Sequence, residues 1–117
     1  MDRAQVFAYV QKKYQTIEEY PWQKYPEYAV LRHKDNSKWY GIILNVPREK
    51  IGLEGAGDID VLDVKCDPAL IEHLSHAPGF IPAYHMNKDH WIGILLDGTL
   101  SAEDVSNHID KSFELTQ

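Results

Sequence analysis

Six prolines, at positions 21, 26, 47, 68, 78 and 82, partition this chain more strictly than any other feature. Each lacks a backbone donor and fixes its own φ, so none is tolerated inside a long helix or a central strand. Long helices are therefore confined to the two ends, and the middle must be strands, turns and at most a short helix.

The N-terminal end reads as a helix. Asp2 can cap a segment running to about Tyr14, with Phe7, Val10 and Tyr14 on one face. Residues 15–27 follow as an aromatic, proline-broken loop. Tyr28 to Lys34 alternates, Asp35-Asn36-Ser37 supplies turn chemistry, and Lys38 to Val46 returns as a second strand that Pro47 ends. Of that strand's two faces, Tyr40, Ile42, Leu44 and Val46 make the better core set, against Trp39, Gly41, Ile43 and Asn45.

Ile51 to Asp58 is punctuated by glycine, and Ile59 to Cys66 predicts a third strand with Leu62, Val64 and Cys66 inward. Asp67-Pro68 opens a short helix whose buried stripe is Leu70, Ile71 and Leu74, and Pro78-Gly79 stops it. A stretch containing Pro82 leads through a turn at Tyr84–Asp89 into the clearest strand, His90 to Leu96. Ser101-Ala102-Glu103-Asp104 is a near capping box for a last helix with Val105, Ile109, Ser112 and Phe113 inward. The order α-β-β-β-α-(β)-β-α predicts an α+β fold, one domain over residues 1–117, with a single antiparallel sheet covered on one face by the terminal helices.

Composition narrows the function. The net charge of −6 works against non-specific nucleic-acid binding. Charge is nonetheless segregated, because residues 32–50 hold five basic residues against two acidic ones. A bland reading competes, since hairpin edges carry Lys and Arg to block aggregation. The single cysteine, Cys66, has no intrachain partner and fits a reducing compartment. No leader-like segment opens the sequence, and no apolar run approaches the roughly 18 residues that span a bilayer. The expectation is a cytoplasmic monomer or small homo-oligomer that does not engage membranes.

No catalytic constellation emerges. His85 and His90 flank a turn, but zinc needs three or four ligands, so hydrogen bonding to backbone is the better reading and no metal is expected. Cys66 points inward and reads as structural. Asp58/Asp60 and Glu18/Glu19 lie in polar segments with nothing to separate their pKa values. Gly52, Gly55 and Gly57 precede a strand rather than a helix, so they do not form a phosphate loop. The expectation is a non-enzymatic binding domain without a cofactor. The loop Tyr20-Pro21-Trp22-Gln23-Lys24-Tyr25-Pro26 is open to several roles: stacking on bases, binding a peptide, lining a pocket, or folding back to cap a small core.

The segment His85-Met86-Asn87-Lys88-Asp89-His90-Trp91, followed by Leu96-Asp97-Gly98, resembles the YjbR/MmcQ family. So do Asp60 to Pro68 and Pro78 to Tyr84, and the likeness covers nearly the whole chain. The resemblance implies a CyaY-like (frataxin-like) fold and DNA binding through a double wing of hairpins, with no catalytic residues. Iron binding through an acidic ridge is not expected, because Asp2 is the only carboxylate up to Tyr14.

Two expectations follow. In the first, Arg32, Lys34, Lys38, Arg48, Lys50 and Lys88 contact DNA phosphates. The Asp35–Lys38 turn is then one wing and Lys88 the tip of the other, while Trp22 or Tyr25 stacks on bases. In the second, a protein or small ligand enters a pocket built from the aromatic loop and from His85, Asn87, His90 and Trp91. Asn87 is then the residue expected to take a left-handed turn conformation.

Overall fold

The computed structural model describes residues 1–117. The helices at the two ends are α1 (Arg3–Tyr14) and α3 (Ala102–Leu115). Between them run β1 (Ala29–Arg32), β2 (Trp39–Pro47), a single 3-10 turn (Arg48–Ile51), β3 (Asp58–Lys65), α2 (Pro68–Leu74), β4 (Phe80–Pro82) and β5 (Trp91–Leu95). The five strands form one sheet in the order β1-β2-β3-β5-β4, with every neighbouring pair antiparallel. The α+β class and the element order expected from the sequence are those of the structure. No helix is long and apolar enough to cross a membrane.

Local chemistry explains the helix ends. Asp2 accepts from the Gln5 N–H while the Gln5 side chain accepts from the Asp2 N–H, a complete capping box. Asp67 caps α2 with Pro68 in the first helical position. Ser101 accepts from the Asp104 N–H at the start of α3. The terminal helices are tied to each other through Asp110, which accepts from the Tyr9 and Tyr14 hydroxyls and from the Lys13 ammonium.

Both faces of the sheet are buried. The helix side packs Val6 and Val10 of α1 with Ile43, Leu62, Ile92, Ile94, Val105 and Ile109. Phe7, expected on the inward face of α1 with Val10 and Tyr14, is only partly buried, because the residues that α1 buries fully are Val6 and Val10. In α2 Ile71 is buried and Leu74 packs partly buried against the same core, while Leu70 is 41% exposed, so the expected three-residue stripe loses only its first member. That helix has barely two turns, and Ile71 and Leu74 seat it.

The expected core face of β2 is corrected by a β-bulge. Leu31 pairs with Gly41 and Arg32 with Trp39, so Tyr40 is an extra residue on β2. Tyr40 therefore joins the helix-side core with Ile43, while Trp39 shares the opposite face with Ile42, Leu44 and Val46. The bulge leaves the Tyr40 carbonyl and the Lys65 N–H to the Ser112 hydroxyl of α3, which donates to the first (2.6 Å) and accepts from the second (2.8 Å). A helix side chain thus carries the last rung between β2 and β3.

The C-terminus holds the β1–β2 turn. The Thr116 hydroxyl lies 2.6 Å from His33 Nε2, and its carbonyl accepts from Asn36 Nδ2 at 3.0 Å. The turn expected to be one free wing is fastened to the end of α3.

Candidate functional site: an aromatic cleft on the helix-free face

The sheet face away from the helices is covered by loops. Its core of Val30, Ile42, Leu44, Val46, Ile59, Val61, Ile81 and Leu95 is overlaid by Trp22 and Tyr28, by Ile51 and Leu53, and by Tyr84 and Met86. Three separate loops supply these residues, and they do not close completely. A cleft of about 310 Å³ remains, with Ile42 and Leu44 as its floor.

One wall comes from the aromatic loop, which the sequence bends by its prolines and pins by its ends. Glu19 and Val30 exchange both backbone hydrogen bonds, at 3.0 and 2.8 Å, laying the loop's start beside β1. The Tyr25 N–H then turns back to the Trp22 carbonyl and the Tyr28 N–H to the Tyr25 carbonyl. The result is a fixed set of rings. Trp22 stands edge-on to Trp39 (5.8 Å, 89°) and to Tyr28 (6.2 Å, 83°), and Tyr25 stacks on Tyr28 at 4.7 Å. The Arg32 guanidinium sits 5.9 Å from the Trp39 ring centre and pairs with Glu19 at 3.1 Å, which holds Trp39 from one side.

The other wall is Tyr84, His85 and Met86. The left-handed residue here is His85 (φ 62°), not Asn87. Asn87 instead accepts the Asp89 N–H on its side-chain oxygen, a turn that Asn makes without leaving ordinary backbone space. The reversal at His85 lies between Tyr84 and Met86, both of which pack on the helix-free core.

Beneath this wall lies Asp63, the least expected residue of the site. It occupies the middle of β3 opposite Gly93 and is 0% exposed. Its Oδ1 accepts a long bond from the Tyr84 N–H (3.4 Å), and its Oδ2 has no partner. Burial pushes its pKa up to about 8, against a smaller opposing pull from the Tyr84 N–H and the Lys88 charge. At neutral pH Asp63 is an uncharged acid. Gly93 makes room for it, since a Cβ there would come within 2.8 Å of Ile81 Cγ1 and 3.2 Å of Asp63 Oδ1.

The expected site residues separate into groups. Trp22, Tyr25 and His85 line the cleft. Asn87 and His90 are exposed outside it, and Trp91 is buried under the Lys65 ammonium, 5.5 Å from the ring centre. No three His, Cys, Asp or Glu side chains gather into a metal-binding group. Cys66 is buried, and burial raises its thiol pKa.

Of the basic residues, Arg32 is committed to Glu19 and Trp39, and Lys34 and Lys38 are exposed at the fastened turn. Arg48 is half-buried; against the upward push of burial, hydrogen bonds from Thr99 and, least, the Arg48 charge hold the Asp97 carboxyl below its ordinary value. Lys50 and Lys88 meet on a second cavity of about 230 Å³, whose wall includes Tyr84. Met86, within the turn expected to form the pocket, lines the cleft, whereas Tyr28, Tyr84 and Asp63 were not expected at the site. The available signal was Asp63 itself, the one acid of β3 set between apolar chain neighbours at its buried centre, Leu62 and Val64, while Asp58 and Asp60 lie toward the strand's start.

The YjbR family pattern matches residues 11–115. The chain belongs to the YjbR family. Its relatives include YyaQ of Bacillus subtilis (strain 168), an uncharacterized protein 47% identical over 117 residues, spanning all of this chain and 99% of YyaQ. A crystal structure of a Pseudomonas syringae protein, 50% identical, superposes with a TM-score of 0.97 over the full length of both chains. A Deinococcus radiodurans protein, DR2400, with a DUF419 domain, is 26% identical, with a TM-score of 0.73 over 98% of this chain and 78% of its own. This YjbR protein therefore shares its architecture, sheet and terminal helices included, with solved relatives.

Proposed function

We propose that this YjbR-family protein is a non-enzymatic binding domain that takes a small ligand with a flat, apolar ring system between Trp22, Trp39 and Tyr84. The observation that carries this reading is the cleft itself. Eight of its nine lining residues are hydrophobic, two loops and strand β2 contribute, and its volume of about 310 Å³ is near the lower bound for small-molecule sites. Edge-on aromatic pairs fix the walls before a ligand arrives, which lowers the ordering cost of binding. A ligand of one or two rings suits that volume. At about 0.5 kcal/mol per heavy atom, ten to twelve atoms correspond to a Kd of roughly 0.1 mM.

The DNA-binding reading implied by the family resemblance has weaker support in the geometry. Its wing turn is fastened to Thr116, and Arg32 is already paired.

The three tryptophan indole N–H groups make the test site-specific. In an NMR titration with 2-naphthamide, the Trp22 and Trp39 indole signals are expected to shift together while the buried Trp91 signal stays in place. Unmoved Trp22 and Trp39 signals at millimolar ligand would refute the cleft. A parallel titration of a labelled DNA duplex at low salt then decides the other reading, with salt-sensitive micromolar binding as the result in its favour.

A further inference from the structure

We infer that the ligand of the aromatic cleft carries an anionic group, a carboxylate or a phosphate, which Lys50 and Lys88 hold in the second cavity that Tyr84 borders. The inference rests on the cleft reading and adds the chemical class of what fills it.

Tyr84 lines both the aromatic cleft and the smaller cavity of about 230 Å³, so one residue borders the two spaces. The smaller cavity has an apolar lining with two charges, Lys50 and Lys88, of the same sign. Neither lysine is paired. The ion pairs of the molecule engage Arg3, Lys13, Arg32 and Lys111. This matters in a chain where 18 acidic residues outnumber 12 basic ones, because carboxylates are plentiful and yet none has been placed against these two ammonium groups. Their chain neighbours Glu49 and Asp89 are exposed and outside the cavity lining.

The remaining acid is Asp63, beneath Tyr84. Burial keeps it uncharged at neutral pH, so it does not cancel the lysines' field. Two ammonium groups on flexible stems act as point charges rather than as a planar fork. They suit a carboxylate or a phosphate equally, and the experiment must separate these sources.

The same NMR titration, run at low salt with 2-naphthamide, 2-naphthoate and 2-naphthyl phosphate, performs that separation. Both anions are expected to bind about tenfold more tightly than the amide, the combined effect of two solvent-accessible ion pairs. A phosphate preference over carboxylate identifies a phosphate as the natural group, and the reverse a carboxylate. In Lys50→Met/Lys88→Met the anion preference is expected to fall to near unity with amide affinity and melting temperature unchanged. Equal binding of all three ligands by the wild type, or a preference that survives the double substitution, overturns the anion inference and leaves the cleft standing. No Trp22 or Trp39 shift with any ligand overturns both.

Discussion

Replacing Asp63 by Asn should make the protein more stable, and by an amount that grows with pH. Asp63 has an ordinary value of 3.8 when exposed and about 8 in the native protein. Above pH 4 the unfolded chain releases this proton while the native state keeps it, so stability is fully present below about pH 4. It is lost progressively as pH rises toward 8, and it stops falling once the native carboxyl also ionises. Each unit in that window costs about 1.4 kcal/mol, which places the burden at about 4 kcal/mol at pH 7. Asn is nearly isosteric, keeps a carbonyl for the Tyr84 N–H, and does not titrate. Its amide N–H groups still need acceptors in a site where Oδ2 has none, a cost of about 1–3 kcal/mol that offsets part of the gain. That cost does not depend on pH, so the slope is the clean observable. Urea unfolding of both proteins at pH 5, 6 and 7 should show the variant's advantage increasing by about 2–3 kcal/mol across the series. Parallel curves would mean that Asp63 does not retain its proton, and the account of the buried acid would be wrong.

Two further outcomes test the scaffold that presents the cleft. Ser112→Ala removes the hydroxyl that bridges the Tyr40 carbonyl and the Lys65 N–H, and should lower stability by about 2–3 kcal/mol in denaturant melts; a loss under 0.5 kcal/mol would show that these groups find other partners. Gly93→Ala forces a methyl against Ile81 and the Asp63 carboxyl and should cost about 1–3 kcal/mol, and the double variant with Asp63→Asn should still bear that cost because Ile81 remains in the way.

Much of the fold was legible because its signals are local. Asp2, Asp67-Pro68 and Ser101 mark helix starts through hydrogen bonds that span only two or three residues. The prolines exclude long helices from the middle, and Leu62, Val64 and Cys66 declare a buried face by their spacing alone. The aromatic loop was also conspicuous, and Trp22 and Tyr25 do line the cleft. Asn87, His90 and Trp91 did not join them. Neighbours in sequence around a tight turn point in different directions, and His85 rather than Asn87 absorbs the reversal.

What sequence could not settle is which residues meet across the sheet. The core face of β2 depends on a single unpaired residue, Tyr40, and a one-residue shift changes which side every later side chain occupies. Asp63 looks like an outward strand residue until loops from three parts of the chain cover the helix-free face. Only then does its carboxyl lose water and hold its proton. The convergence of Lys50 with Lys88 is of the same kind. By itself the sequence determined the elements, their order and their caps, because those depend on neighbours within a few residues. The tertiary structure decided the bulge, the buried acid and the cleft, because each depends on distant segments meeting on one face of the sheet.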